Sequence, residues 1–452
     1  MDESQPQSIV ELIRRTLAVG EKSSVEQLAG YQRRQLEQLL RFAHARAPFY
    51  KVWLAPLFGK GGSIDWSQWP RIPILTRANV KVNGSEMMST GMPDGHGSAR
   101  SLASSGTTGM PVTVHSTDLM SVAGALAFER ACRWYGYQNG DRICVALNTP
   151  QIESLDRETW AVGDEVTGAL AGNLSSHRLG VSRSWPPELI LSHMMQHGSV
   201  CFAGNSTTLE DLAEAHLAKD LGIQIKFMVG KSMALTERAR TLVRRAFKSN
   251  AFSVYSSMEA HKIAHECPAS GGFHVNSELV FVEIVDDEGR PCEAGETGRV
   301  IVTPLLGTAQ PLIRYEQGDL ATWGKRCSCG RPHPVIARID GRIRNRFQFA
   351  GGHKFTPAIG FEPYRDLLKA DQWQVAQTGP LDIEVRFISA APDEAIDFAG
   401  LTRVFAKSFH QNLSVSFRRM DVLPRTAAGK FIDYVNEYDA HSDIRPNLTT
   451  AD

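Results

Sequence analysis

The sequence predicts an α/β protein of two domains, a large N-terminal α/β domain followed by a small C-terminal α+β lid, and three observations carry that prediction. At 452 residues the chain exceeds what one compact core accommodates. From residue 118 to about 250, helical patterns alternate with short apolar runs such as 143–147, the texture of helices packed on a largely parallel sheet. Beyond Phe247 the texture changes to strands, and the polar, basic stretch GRIRNR at 341–346 reads as a hinge. The domains are therefore expected over 1–340 and 341–452.

Each element has its own signal. The runs 10–18 and 25–47 carry apolar residues at helical spacing, and Pro48 ends the second. Over 233–247, Ala239, Leu242, Val243, Ala246 and Phe247 fall on one helical face, with Arg238, Arg240, Arg244 and Arg245 elsewhere. LVFVEIV at 279–285, the turn DDEGR at 286–290 and RVIVT at 299–303 read as a hairpin. The sequence contains no internal repeat and no low-complexity tract.

Composition narrows the function classes. With 42% apolar and 22% charged residues and a formal charge of zero, the chain has the balance of a globular protein and lacks the basic excess a nucleic-acid or anionic-membrane partner requires. No apolar run approaches the ~20 residues of a spanning helix. The start, MDESQPQ, lacks the basic and apolar stretches of a secretory signal. Seven cysteines, an odd number, do not describe a disulfide framework, so a reducing cytoplasm is expected and clustered cysteines read as metal ligands.

Two stretches carry chemistry on their own. Ser104-Ser105-Gly106-Thr107-Thr108-Gly109 spaces hydroxyl side chains with glycines, which lets backbone amides approach a ligand and suits phosphate oxygens; the spacing is not that of a Walker loop. Cys267 and His274 flank a Gly-Gly turn, and Cys327 and Cys329 stand in CSCGRPH. Joined through a hairpin, these knuckles supply the four donors of a structural, tetrahedral Zn²⁺ site, with His333 as a competing fourth ligand. Cys132, Cys144, Cys201 and Cys292 show no such grouping and read as packing residues.

SSGTTGMP resembles the phosphate loop of the adenylate-forming superfamily of acyl-CoA synthetases, adenylation domains and luciferases. Four further motifs follow in that family's order: YSSME at 255–259, RYEQGD at 314–319, GRIRNR at 341–346 and PRTAAGK at 424–430. FAHARAPFYK at 42–51, IPILTRANV at 72–80, ECPASGGFHVNSE at 266–278 and CSCGRPHP at 327–334 resemble the phenylacetate-CoA ligase group and its capsule-biosynthesis relatives. The resemblance spans nearly the whole chain and is weakest between about 120 and 225, where the acid pocket would lie.

The resemblance implies a task for each matched residue. Thr107 and Thr108, with the surrounding loop from Ser104 to Gly109, would hold the ATP phosphates. Tyr255, with Ser256 beside it, would lie against adenine, and Glu259 would ligate Mg²⁺. Asp319 would accept hydrogen bonds from both ribose hydroxyls, and Arg342 would support the nucleotide beside the hinge. Lys430 would bring the α-phosphate and the attacking carboxylate together. Glu259, Thr108 and Lys430 are thus the expected catalytic residues.

The chain departs from the family pattern at Met110, Lys231, Arg344-Asn345 and His353, where relatives carry lysine, glutamate, an acidic pair and Arg or Asn. The implied reaction is activation of a small carboxylic acid by ATP to an acyl-adenylate, then transfer to a thiol, CoA first among the acceptors. An amine or a carrier-protein thiol is the alternative acceptor, and a degenerate nucleotide-binding protein is the rival class. Aromatic acids are among the expected substrates, with Trp134, Tyr135, Trp160 and His177 as candidate pocket residues, and a homodimer is among the expected assemblies.

Overall fold

The computed structural model describes residues 9–103, 112–147, 160–161, 178–219, 221–231, 235–342, 346–349, 354–355, 365–370, 372–409, 412–426, 432–438 and 448–449. Helix boundaries follow local signals. In Val25–Arg46, Ser24 accepts from the Gln27 amide and Gln27 reaches back to the Ser24 amide, a reciprocal cap. Its buried stripe is Leu28, Leu36, Leu39, Leu40 and Ala43, and Ala47, extended ahead of Pro48, ends it. Pro48 then opens the next helix, Pro48–Trp53. The helix expected over 233–247 begins at Glu237, because Thr236 caps it through the Ala239 amide; it buries Ala239, Val243 and Phe247 and stops at Lys248, which has positive φ.

The chain divides into two compact units, one from Met1–Leu102, Val114–Gln317 and Thr322–Arg338, the other from Ala103–Thr113, Gly318–Ala321 and Ile339–Asp452. The strands in chain order are β1 (Ala99–Ala103), β2 (Thr113–Thr117), β3 (Arg142–Leu147), β4 (Trp160–Ala161), β5 (Arg178–Ser182), β6 (Ser199–Gly204), β7 (Phe227–Gly230), β8 (Asn250–Ser257), β9 (His261–Glu266), β10 (Phe273–Val275), β11 (Val280–Val285), β12 (Thr297–Pro304), β13 (Tyr315–Trp323) and β14 (Val335–Arg342). Among the described residues, twelve of them form one sheet in the order β11-β12-β13-β14-β10-β9-β8-β7-β6-β3-β5-β4.

Its middle is parallel, β5, β3, β6, β7 and β8 running together. Alternate residues serve opposite faces. Cys144, Ala146, Phe202 and Met228 pack with Ile190, Leu209, Leu212 and Val243 of three helices. Ile143, Cys201, Phe227 and Val229 meet Ala131, Cys132 and Tyr135 at the end of the helix Asp118–Trp134. A parallel sheet covered on both faces explains the near-continuous apolar runs. The predicted hairpin is β11 and β12, antiparallel from Val280↔Pro304 to Val285↔Arg299.

The second unit carries β15 (Phe347–Gln348), β16 (Lys354–Phe355), β17 (Gln372–Gln377), β18 (Asp382–Ile388), β19 (Ser414–Arg419), β20 (Arg425–Thr426) and β21 (Tyr434–Asn436). Four of these form a mixed sheet in the order β19-β18-β17-β21. Val375, Val385 and Phe387 from the sheet bury against Leu401, Phe405 and Phe409 of the helix Phe398–Ser408 and its end, which makes this unit α+β. No helix among the described residues is long and apolar enough to cross a membrane.

Candidate functional site

Strand β8 ends in the YSSME motif. It pairs with β9 through Tyr255↔Ala264, and the register shifts between Tyr255 and Ser256, a bulge that re-aims the side chains beyond it. The chain then reverses through Met258, Glu259 and Ala260. The Ala260 amide donates to Ser257 Oγ at 3.0 Å, and His261 takes a positive φ of 54°. Tyr255 is buried, while Ser256 and Glu259 are partly exposed. A tight turn held by a side chain and a strained backbone thus presents Glu259 at its tip.

A second motif meets this turn. Tyr315, the first residue of β13, donates its hydroxyl to Glu259 Oε1 at 3.4 Å. Its predecessor Arg314 is buried with φ 54°, and its guanidinium reaches the Ile72 carbonyl at 2.6 Å and Glu283 at 3.1 Å. That anchoring fixes where β13 starts. Further along the strand Gly318 adopts φ 74°, a conformation that suits glycine, and Asp319 after it is buried. Arg342 is the last residue of β14. Ser104, Ser105, Gly106, Thr107, Thr108, Gly109, Met110, Arg344, Asn345, His353 and Lys430 lie outside the described residues, as does the Arg342 side chain.

The four expected metal donors converge. Cys267, His274, Cys327 and Cys329 place one ligand atom each within 4.8 Å of one another. Cys267 Sγ and Cys327 Sγ are 3.7 Å apart and His274 Nε2 is 3.1 Å from Cys329 Sγ. Zinc bonds of about 2.0–2.3 Å in a tetrahedron put ligand atoms roughly 3.3–3.8 Å apart, so these two separations lie in or near that range and the donor types suit the ion. Strand β10 carries His274, paired with Val335 on one side and His265 on the other. The His274 Nδ1–H points to the His333 carbonyl at 3.3 Å, leaving Nε2 as the free donor. Burial holds His274 down to about 4, which keeps its imidazole neutral at physiological pH. Burial raises the Cys327 thiol, but its hydrogen bonds with the Ser270 hydroxyl and the Cys329 amide outweigh it and lower its pKa.

His333 does not join these converging donors, and its Nε2 is engaged elsewhere. His333 Nε2 lies 2.9 Å from Glu278 Oε1, and Arg130 Nη1 donates to the same oxygen at 2.7 Å. All three residues are buried. Burial opposes ionisation of Glu278, yet Arg130 and His333 prevail and hold its carboxyl down to about 2. Arg130 also reaches Asn276 at 2.9 Å and the Leu17 carbonyl at 3.3 Å. This cluster ties the N-terminal helix to the strand region beside the thiol cluster.

Two of the aromatic residues considered for the acid pocket serve packing instead. Trp134 donates to Glu21 at 2.5 Å and stands edge-on to His265 and His274. Tyr135 stacks on Phe252 at 4.0 Å and donates to the Glu266 carbonyl at 2.9 Å. His177 and the Trp160 side chain lie outside the described residues. Cys132, Cys144 and Cys201 are buried among apolar neighbours, as expected, and Cys292 is partly exposed. Sequence reasoning missed the Tyr315 contact, the Arg130 cluster and Ser116, whose hydroxyl lies 2.8 Å from His261 Nε2. Only the position of Tyr315 inside RYEQGD offered a signal.

No protein-family model matches the chain. The phenylacetate-coenzyme A ligase of Escherichia coli (strain K12) is 26% identical over 390 residues, covering 80% of this chain and 82% of that protein. The enzyme of the same name from Thermus thermophilus is 26% identical over 341 residues, 70% of this chain and 72% of its own. Among solved structures, 2-hydroxyisobutyryl-CoA ligase in the postadenylation state with 2-HIB-AMP aligns at a TM-score of 0.67 and 18% identity, covering 89% of this chain and 88% of that one. O-succinylbenzoate coenzyme A synthetase from Bacillus subtilis, in complex with AMP, aligns at 0.52 and 17% identity over 74% and 67%. The structures carry the fold and the curated relatives carry the sequence relationship. The chain is thus similar in sequence to curated phenylacetate-coenzyme A ligases and shares the fold of solved acyl-CoA-forming ligases.

Proposed function

We propose that this protein is an AMP-forming acid ligase that activates a carboxylic acid with ATP and passes the acyl group to CoA. The observation that carries the reading is the relationship to curated phenylacetate-coenzyme A ligases across 80% of the chain. It is supported by the shared fold with a ligase solved with its acyl-AMP and, in another state, with CoA. In the first step a carboxylate oxygen attacks the α-phosphorus of ATP, the bond to the bridging oxygen breaks, and pyrophosphate leaves with the electron pair. In the second the CoA sulfur attacks the acyl carbon and AMP leaves.

The residues fall into roles that their chemistry suits. Tyr255 and Ser256 border the adenine, Asp319 accepts from the ribose hydroxyls, and Arg342 supports the nucleotide. The loop from Ser104 to Gly109, with Thr107 and Thr108, receives the phosphates. Glu259 would hold Mg²⁺, which would supply positive charge against that developing on the leaving pyrophosphate. Lys430, from the lid formed by 341–452, steadies the attacking carboxylate and the α-phosphate. Cys267, His274, Cys327 and Cys329 hold a structural Zn²⁺ away from the chemistry. None of the seven cysteines forms a disulfide, which suits a cytoplasmic enzyme.

The test is acid-dependent pyrophosphate release over a panel of carboxylates, repeated with CoA and with amines. CoA-dependent formation of AMP and thioester is the expected result. Release that needs an amine and ignores CoA replaces the acceptor, and absence of release with every acid overturns the reading.

A further inference from the structure

Two lysines flank the strand that carries Tyr255, and the reaction above leaves both without a task. Lys231 follows β7, whose last pair with β8 is Gly230↔Ser253. Its amide donates to the Gly204 carbonyl at 2.8 Å, extending the β6–β7 ladder by one residue. It therefore leaves the carboxyl end of a parallel strand, the edge at which open α/β sheets receive ligands. Lys262 lies on the opposite flank, facing Ser256 in the β8–β9 ladder and three residues past Glu259. Its ammonium is 5.8 Å from the centroid of the Phe128 ring.

Neither ammonium has a carboxylate partner among the described residues. Exposed lysines of the same unit do find one: Lys226 pairs with Asp141 at 2.7 Å and Lys219 with Glu188 at 3.1 Å. Burial, then repulsion from Lys262, lowers Lys231 to about 7; burial, then repulsion from Arg178, lowers Lys262 to about 8. Both residues are half-buried; withdrawing neighbouring cations from water without an anion is unfavourable, and groups perturbed in this way gather where a ligand supplies the missing charge. The aromatic rings of Trp134 and Tyr135, engaged in packing, leave charge as the stronger signal for the acid.

We propose that the acid activated here bears a second carboxylate, and that Lys231 and Lys262 bind it while the first carboxylate is adenylated. The proposal rests on the acid-ligase reading and narrows it to dicarboxylic acids. It accounts for a lysine at 231, where the resemblance implies glutamate, since the charge reversal converts a site that repels a distal anion into one that attracts it.

The experiment measures pyrophosphate release by the full chain with matched acids: valerate against glutarate, benzoate against isophthalate, and phenylacetate against 3-carboxyphenylacetate. At least one diacid should exceed its partner by ~10²-fold or more in kcat/KM, because an analogue lacking the anion leaves both half-buried ammonium groups unpaired. Lys231→Met and Lys262→Met should each narrow that ratio by roughly tenfold or more. Glutarate or isophthalate should also raise the melting temperature of the wild-type chain and lose this effect in the double variant. Where a variant fails to fold, the wild-type ratio decides alone. Monoacids used as well as every matched diacid overturn the proposal and leave the ligase reading standing. Silence with all six acids, and no thermal shift, overturns both.

Discussion

Tyr315 donates a hydrogen bond to Glu259, Oη to Oε1 at 3.4 Å, and so joins the first residue of β13 to the tip of the turn that follows β8. The phenol orients the carboxylate without supplying its charge. Glu259→Gln keeps the shape and removes the metal-binding charge, so acyl-adenylate formation should fall by ~10²-fold or more and the Mg²⁺ requirement should rise. Tyr315→Phe removes one long hydrogen bond and should lower the rate only a few-fold, about the worth of a typical neutral bond. Pyrophosphate release titrated with Mg²⁺ distinguishes the two; equal losses contradict the assignment.

The thiol cluster predicts a separation between metal content and stability. Cys327→Ser or Cys329→Ser should lower both the zinc content, about one equivalent in the wild-type protein, and the melting temperature. His333→Ala should leave the zinc in place, because its Nε2 bonds Glu278 at 2.9 Å and it meets His274 through its backbone carbonyl and the edge of its ring, not as one of the four converging donors. It should still lower stability. Elemental analysis of freshly purified protein, never exposed to chelator, checks this, and zinc-free wild-type protein contradicts it.

Acid should reveal the Arg130–Glu278–His333 cluster. Glu278 is held down to about 2 from an ordinary 4.5, against its burial, by Arg130 and His333. A carboxyl whose pKa is depressed on folding contributes stability that is complete above 4.5 and is lost as pH falls toward about 2. Glu278→Gln leaves Arg130 buried and uncompensated, which should cost ~3–5 kcal/mol at neutral pH. The gap between wild type and variant, measured by urea unfolding, should narrow between 4.5 and about 2. A gap independent of pH would mean that the carboxyl acts by shape alone.

Lys430 carries the most direct test of the proposed first step. Carboxylate and phosphate are both anions, and in the proposed mechanism a Mg²⁺ at Glu259 would neutralise only the leaving side. Lys430→Ala should lower acyl-adenylate formation by ~10²–10³-fold, the scale of one lost preorganised donor. ATP affinity should change little, since Tyr255 and Asp319 are the residues proposed to hold adenine and ribose. Thioester formation from chemically made acyl-adenylate should persist. Wild-type pyrophosphate release by the variant contradicts the role.

Local chemistry was legible in the sequence because its determinants lie a few residues apart. Ser24 and Gln27 cap the second helix, alternation marks β11 and β12, and Cys-x₆-His with Cys-x-Cys names the donor types of the thiol cluster. The start of the helix Glu237–Phe247 was blurred because apolar spacing does not report which residue caps it. Composition and motif order pointed to the adenylate-forming fold, while the resemblance weakened through 120–225, where pocket residues answer to a ligand rather than to the backbone.

Tertiary structure alone decided the partners. His274 rather than His333 faces Cys329, 55 positions away, because the pairing of β10 with β14 and β9 puts it there, while Glu278 claims His333. Arg130 meets Glu278 across 148 positions, and Lys231 and Lys262 flank one strand only because β7 and β9 pair with opposite edges of β8. A sequence states which charges and donors exist. Whether a buried charge finds its counter-charge depends on sheet order and register, which are set by the burial of whole faces and not by any spacing along the chain.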